Sequence, residues 1–197
     1  MRNIVLATSN SSKVAELRSL FLEHGVVDWN VLTPKDLGYS SDAREDGSTF
    51  DANATQKAVY FSQLTGLPTV ADDSGICVES LHGGPGVFSA RWAGRCVDST
   101  QVNERLLNLL RESSNRRAKF LCSLAATFPN KSVVLFRGQC PGSIASCQAG
   151  SNGFGYDPIF IPDGFADTFA SLNSIEKNRI SHRSIAFGEF AAWLATL

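Results

Sequence analysis

Residues 3–8, Asn-Ile-Val-Leu-Ala-Thr, form a short and nearly continuous apolar run, the pattern of a strand covered on both faces. A polar loop, SNSSK, follows it. Then VAELRSLFLEHG sets Val14, Leu17, Leu20 and Phe21 on one helical stripe that Gly25 ends. Strand, polar loop and helix in that order predict an α/β fold in which helices cover a sheet. The pattern continues along the chain. VVDWNVLT reads as a second strand, TFDANATQKAVYFSQLTG as a second helix with Thr49 as cap and Gly66 as stop, and PTVADDSGICVES as the next strand. Asp98 or Ser99 caps a helix through TQVNERLLNLLRESS, and KFLCSLAATF and SVVLFRGQC around PNK predict a hairpin, hence antiparallel pairing in part of the sheet. A glycine-rich loop, AGSNGFGYDP, precedes IFIP, and SIAFGEFAAWLATL predicts a closing amphipathic helix in spite of Gly188. The sequence shows no repeat, linker or low-complexity tract. The expectation is one domain over residues 1–197, with a long mixed twisted central sheet flanked by helices, built as two lobes with the active-site cleft between them.

Composition narrows the partners. With 197 residues, 43% of them hydrophobic, the chain can bury a core without disulfides or metal staples. Its 18 basic and 19 acidic residues give a net charge of -1, so no global field draws nucleic acid. No apolar run approaches the roughly 18 residues that span a bilayer, and the start MRNIVLATSN lacks the long apolar segment of a secretory signal. A cytoplasmic protein without a membrane partner is expected. The five cysteines, Cys77, Cys96, Cys122, Cys140 and Cys147, are odd in number and include no C-x-x-C pair, which predicts reduced thiols acting as small buried hydrophobes.

Several stretches carry candidate chemistry. Adjacent Asp72 and Asp73 between apolar runs fit either a surface turn or a metal or acid-base site at the end of a buried strand. Consecutive strand residues point to opposite faces, so the two carboxylates could share an ion only if the strand ended there, and Ser74 and Gly75 are expected to supply that end. The junction ATSNSSK fits an N-cap or an anion site: Thr8, Ser9, Asn10, Ser11 and Ser12 offer neutral donors beside the unpaired N–H groups of a helix start, and Lys13 adds a charge. It lacks the glycine pattern of a P-loop. Glu45 and Asp46 in a polar loop and Lys57 about two turns into the next helix read, on their own, as solvated surface charges. In GSNGFGYDP, Gly153 and Gly155 flank Phe154 and would let backbone approach a flat ligand with Phe154 or Tyr156 stacked on it; a hairpin loop capped by buried aromatics fits as well. EKNRISHR concentrates Lys177, His182 and Arg183, in an exposed charged turn or at one planar ligand. Together these pieces make a nucleotide-polyphosphate constellation with carboxylates for Mg²⁺.

The chain resembles the inosine triphosphate pyrophosphatase family, through IVLATSNSSKVAEL, EDGSTFDANATQKA, ADDSGICVESLHGGPGVFSARWAG, GFGYDPIF and EKNRISHR in the family's order over nearly the whole chain. The resemblance implies a two-lobed α/β homodimer that hydrolyses the purine nucleoside triphosphates ITP, dITP and XTP to the monophosphate and pyrophosphate, with Mg²⁺ as cofactor and Mn²⁺ as an alternative. Carried over by motif, Thr8, Asn10 and Lys13, with Ser9, Ser11 and Ser12 in the same loop, look like phosphate contacts, as does Lys57. Glu45 and Asp73 look like the metal ligands, Asp73 is also the catalytic residue, and Ser74 is a substrate contact. Phe154, Gly155, Tyr156 and Asp157 resemble the base-binding loop, Lys177 is the third lysine, and His182 with Arg183 the base-reading pair. Two departures stand out: Ser9 where glycine is common, and Ala52 where the family often has Glu. A related pyrophosphatase of the septum-formation type fits less well, because of GFGYDP and SHR; a non-catalytic nucleotide sensor would not need both Glu45 and Asp73.

Overall fold

The computed structural model of the chain describes residues 2–40, 43–92 and 98–197. Cys96 and the Ala93-Gly94 end of one family-like stretch lie outside the described residues. Six strands form one sheet: β1 (Arg2–Leu6), β2 (Trp29–Leu32), β3 (Thr69–Val78), β4 (Arg117–Thr127), β5 (Val134–Ile144) and β6 (Phe160–Pro162), in the order β2-β1-β3-β4-β5-β6. The sheet is mixed. β1 runs parallel to β2, with Arg2 opposite Trp29, and to β3, with Val5 opposite Thr69, whereas β5 and β6 are antiparallel with Ser143 opposite Ile161. Among the described residues five α-helices accompany it: α1 (Ser11–Glu23), α2 (Phe50–Thr65), α3 (Ser99–Leu109), α4 (Ser174–Ile180) and α5 (His182–Leu194).

Local chemistry explains the helix ends. Asn10 caps α1 by accepting from the N–H groups of Ser12 and Lys13, Thr49 caps α2 from Ala52, and Asp98 caps α3 from Thr100. Gly66 ends α2 in the left-handed conformation, at φ +67, where glycine bears no Cβ penalty. The polar residues 176–180 of EKNRISHR, which could have formed an exposed charged turn, belong to α4 instead, because Asn173 and Glu176 make a reciprocal capping box.

The chain divides into two compact units. Unit 1 comprises Met1–Asp73, Cys122–Gly138 and Arg183–Leu197; unit 2 comprises Ser74–Leu121 and Gln139–His182. Within unit 1, Ile4, Leu6, Leu17, Leu20 and Phe21 pack with Phe187, Phe190 and Leu194 of α5. The Phe21 and Phe187 rings meet edge to face at 4.8 Å. Removing a buried ring such as Phe187 would cost about 3–5 kcal/mol. A second apolar cluster in unit 1 joins Val5, Ala7 and Ala71 to Ala54, Ala58 and Phe61 of α2. Ile4, Val5 and Leu6 are all buried, which accounts for the uninterrupted apolar run of β1. Unit 2 has its own core, with Ile76, Leu106, Phe120, Phe160 and Phe169 among its large members.

One expectation is overturned. β3 does not end at Ser74 and Gly75 but continues through them to Val78. Gly75 serves close packing inside the strand: a Cβ there would lie 2.3 Å from Ser89 Oγ and 2.5 Å from the Gly86 carbonyl. Cys77, Cys122, Cys140 and Cys147 are free thiols, with Cys122 and Cys140 buried, Cys77 half-buried and Cys147 exposed. Burial pushes the Cys122 thiol up to about 12, so it is inert. Among the described residues no helix is long and apolar enough to cross a membrane.

Candidate active site

In unit 1 the candidate residues gather around α1, α2 and the first half of β3. Because β3 is continuous, Asp72 and Asp73 leave it on opposite faces. Asp72 is fully buried, with Lys13 Nζ 2.9 Å and Arg183 Nε 3.3 Å from its Oδ2. Arg183 in turn places Nη1 2.7 Å from Glu16 Oε2. Burial alone would push the Asp72 carboxyl up, but Lys13, then Arg183 and Lys57, pull it well below the usual carboxylate range. Asp72 therefore serves as the anionic anchor of two cations.

Asp73 has different company. Its Oδ2 accepts from Asn53 Nδ2 at 2.9 Å, and the same Asn53 accepts through Oδ1 from the Gly47 N–H at 2.8 Å. Asn53 thus ties the loop that carries Glu45 to the strand that carries Asp73. Lys57, buried in α2, lies 2.5 Å from Glu45 Oε1. Burial would lower the Lys57 ammonium, yet Asp72, Glu45 and Asp73 together raise it above its ordinary value. For Asp73 the balance is reversed: burial raises its carboxyl, Lys57 and Asn53 oppose this, and the negative charge of Glu45 adds to the rise. The carboxylates of Asp73 and Glu45 offer hard oxygen donors of the kind that hold a divalent cation.

The α1 start lies in the same unit. Thr8 Oγ1 accepts from the Asn10 N–H at 3.2 Å, and Asn10 Oδ1 is engaged as the cap of α1. Ser9, Ser11 and Ser12 are exposed, no acidic residue occupies the first turn, and Thr8, Ser9 and Ser11 line a groove of about 580 Å³ that also contains Arg18 and Lys35. Ser9 is not among the described residues with positive φ, so it replaces glycine without backbone strain.

In unit 2, Ser74 is half-buried in β3, and the glycine-rich loop folds around Asp157. Asp157 Oδ2 accepts from the Phe154 N–H at 2.8 Å and from Lys177 Nζ at 2.7 Å, with both Asp157 and Lys177 buried. The Lys177 ammonium lies 5.3 Å from the Phe154 ring centre and 5.5 Å from that of Phe169. Gly153, at φ +71, could bear no side chain, since a Cβ would sit 2.0 Å from Asp157 Oδ2. Tyr156 is buried, donating to the Ser89 carbonyl at 2.9 Å. His182, the first residue of α5, is buried and stacks on Phe120 at 4.6 Å with an 8° interplanar angle.

Unit 1 therefore brings together Lys13, Glu45, Lys57, Asp73 and Arg183, and unit 2 brings together Phe154, Asp157 and Lys177. The sequence reading passed over Asn53 and Glu16. Both lay inside stretches already singled out, but their partners are remote in the chain.

The model of the Ham1 family matches residues 4–193. The chain belongs to the Ham1 family. It is 42% identical over 195 residues to the dITP/XTP pyrophosphatase of Streptomyces coelicolor, covering 95% of this chain and 94% of that protein. It is 40% identical to the protein of the same name from Nocardia farcinica, covering 100% and 97% of the two chains. Among solved structures, a HAM1 protein from Coxiella burnetii matches with a TM-score of 0.90 and 37% identity over the full length of both chains. The Staphylococcus aureus Ham1 protein matches with a TM-score of 0.88 and 36% identity over 99% of each. The mixed sheet with helices that the sequence pattern predicts is thus shared with these Ham1 structures.

Proposed function

We propose that this Ham1 protein hydrolyses non-standard purine nucleoside triphosphates (ITP, dITP and XTP) to the nucleoside monophosphate and pyrophosphate, and so clears them from the nucleotide pool. The observation that carries the reading is the Glu45, Lys57, Asp73 and Lys13 set of unit 1, one buried and one half-buried cation beside two carboxylates, in a chain whose full-length relatives are named dITP/XTP pyrophosphatases.

In this reading Lys13, Lys57 and the α1 start with Thr8, Ser9, Asn10, Ser11 and Ser12 bind the polyphosphate end, and Ser74 contacts it. Water attacks the α-phosphorus in line with the departing pyrophosphate, a reaction that asks the protein for positioning and charge compensation. Asp73 accepts the water's proton. What supports this role is that burial raises its carboxyl and makes it a stronger base than an exposed Asp. Asn53 aims it. Glu45 and Asp73 would hold Mg²⁺, with Mn²⁺ an alternative. Among the described residues no third His, Cys, Asp or Glu completes an all-protein site, so the remaining ligands would be substrate oxygens and water. Bound there, the ion would offset negative charge on the phosphates.

Phe154, Gly155, Tyr156 and Asp157, with Lys177, bind the base, and His182 and Arg183 read it. Arg183 donates to the 6-keto oxygen of hypoxanthine or xanthine, a group that adenine replaces with a donor. Glu16 and Asp72 hold its guanidinium in place. The chain acts as one catalytic domain of two lobes, a cytoplasmic homodimer without nucleic-acid or membrane partners; its net charge of -1 supports the former exclusion. Pyrophosphate release measured across ITP, XTP, dITP, ATP and GTP tests the assignment. Rapid turnover of the first three and slow turnover of the last two is expected, and equal turnover of all five would contradict it.

A further inference from the structure

Asn103 lies on the buried face of α3, in register with Leu106 and Leu110, and is itself only 1% exposed. A leucine would complete this apolar stripe. An amide there takes hydrogen-bonding atoms out of water, which costs free energy unless each is paired. Nδ2 donates to the Gly155 carbonyl at 3.0 Å and to Gln148 Oε1 at 3.3 Å, while the buried Oδ1 has no hydrogen-bond partner. Packing does not account for a half-satisfied amide at this position. Its contact with the Gly155 carbonyl does.

Gly155 links Phe154 to Tyr156. It has φ +63, and a Cβ built on it would meet nothing within 4 Å, so the space beside its Cα is open. Glycine adopts left- and right-handed backbone about equally well, so the peptide plane that follows can turn unless something ties it. The Phe154 carbonyl accepts from the Asp157 N–H at 3.3 Å across Gly155, and Asn103 ties the Gly155 carbonyl itself from a regular helix.

We propose that Asn103 is a positioning residue: by holding the Gly155 carbonyl it orients Phe154 over Lys177 and sets the affinity for the base half of the nucleotide. This rests on the assignment of Phe154 to Asp157 to base binding. Titration calorimetry with IMP and, separately, with inorganic pyrophosphate tests it in the wild type, Asn103→Leu, Asn103→Asp and Phe154→Ala. Both Asn103 variants are expected to weaken IMP binding by about tenfold, a loss typical of a broken buried hydrogen bond, with pyrophosphate affinity within about twofold of wild type. Asn103→Leu takes the donor from the Gly155 carbonyl but completes the apolar stripe, and its melting temperature should fall by no more than a few degrees. Unchanged IMP affinity in both Asn103 variants, with Phe154→Ala weakened, would overturn the proposal and leave the base-loop assignment standing. Equal loss of IMP and pyrophosphate affinity would also overturn it, by exposing a general structural defect. Unchanged IMP affinity in all three variants would overturn the assignment and the proposal together. If Asn103→Leu does not fold, Asn103→Asp, nearly isosteric but presenting acceptors to the Gly155 carbonyl, carries the test.

Discussion

Asp72 and Asp73 are consecutive in β3, yet Asp72 holds Lys13 at 2.9 Å while Asp73 accepts from Asn53 at the same distance. The alternation of a continuous strand separates two chemically identical side chains into a structural anion and a candidate base.

Their asparagine variants should therefore fail in opposite ways. Asp72→Asn removes the anion shared by buried Arg183 and half-buried Lys13, and should lose about 3–5 kcal/mol, or roughly 10 °C in melting temperature. Asp73→Asn keeps an acceptor for Asn53 and removes an unfavourably buried charge, so it should melt at or above wild type while turnover collapses. Thermal unfolding beside steady-state kinetics checks both; an Asp73→Asn enzyme with wild-type kcat would remove Asp73 from the chemistry.

The same pair sets the pH dependence of stability. Asp73 has its folded value raised above the ordinary 3.8, so its ionisation progressively lowers stability as pH rises through the window above that value. Asp72 has its folded value depressed, so its contribution is complete above 3.8 and is lost as pH falls below it. Melting curves from acid to neutral pH should show Asp73→Asn gaining on the wild type as pH rises. A constant difference between the two would contradict the raised carboxyl.

Much of this arrangement was legible in the sequence where the signal is local. The apolar run of β1, the Asn10 and Thr49 caps, the Gly66 stop and the glycine loop all declare themselves within a few residues. The course of β3 did not, because Asp, Ser and Gly read as a turn. The strand passes through Gly75 in close contact with Ser89 and Gly86, partners that the local sequence does not announce. Asn53 meets Asp73 across 20 residues, Asn103 meets Gly155 across 52, and Glu16 meets Arg183 across 167. No periodicity or spacing rule encodes such pairs. The α4 capping box, Asn173 with Glu176, was readable in principle, but its polar surroundings resembled a turn.

Gly153→Ala should damage the base loop selectively. The new methyl would meet Asp157 Oδ2 and the residue would be held at φ +71, so the Phe154 and Lys177 bonds to Asp157 must shift. KM for ITP should rise by about tenfold or more with a smaller change in kcat. An unchanged KM would show that the loop does not touch the base.

Chelation should abolish activity without unfolding the protein, because Glu45 already has Lys57 as a partner when no metal is bound. With EDTA the melting temperature should stay within a few degrees and ITP turnover should stop, returning on addition of Mg²⁺. Full turnover in excess EDTA would exclude Glu45 and Asp73 as metal ligands for the reaction.

The central claim is the bond that breaks. Purified enzyme given ITP and Mg²⁺, with products resolved by ion-exchange chromatography at early times, should yield IMP and pyrophosphate in equal amounts from the first turnover. IDP and orthophosphate as first products would place attack at the γ-phosphorus and contradict it.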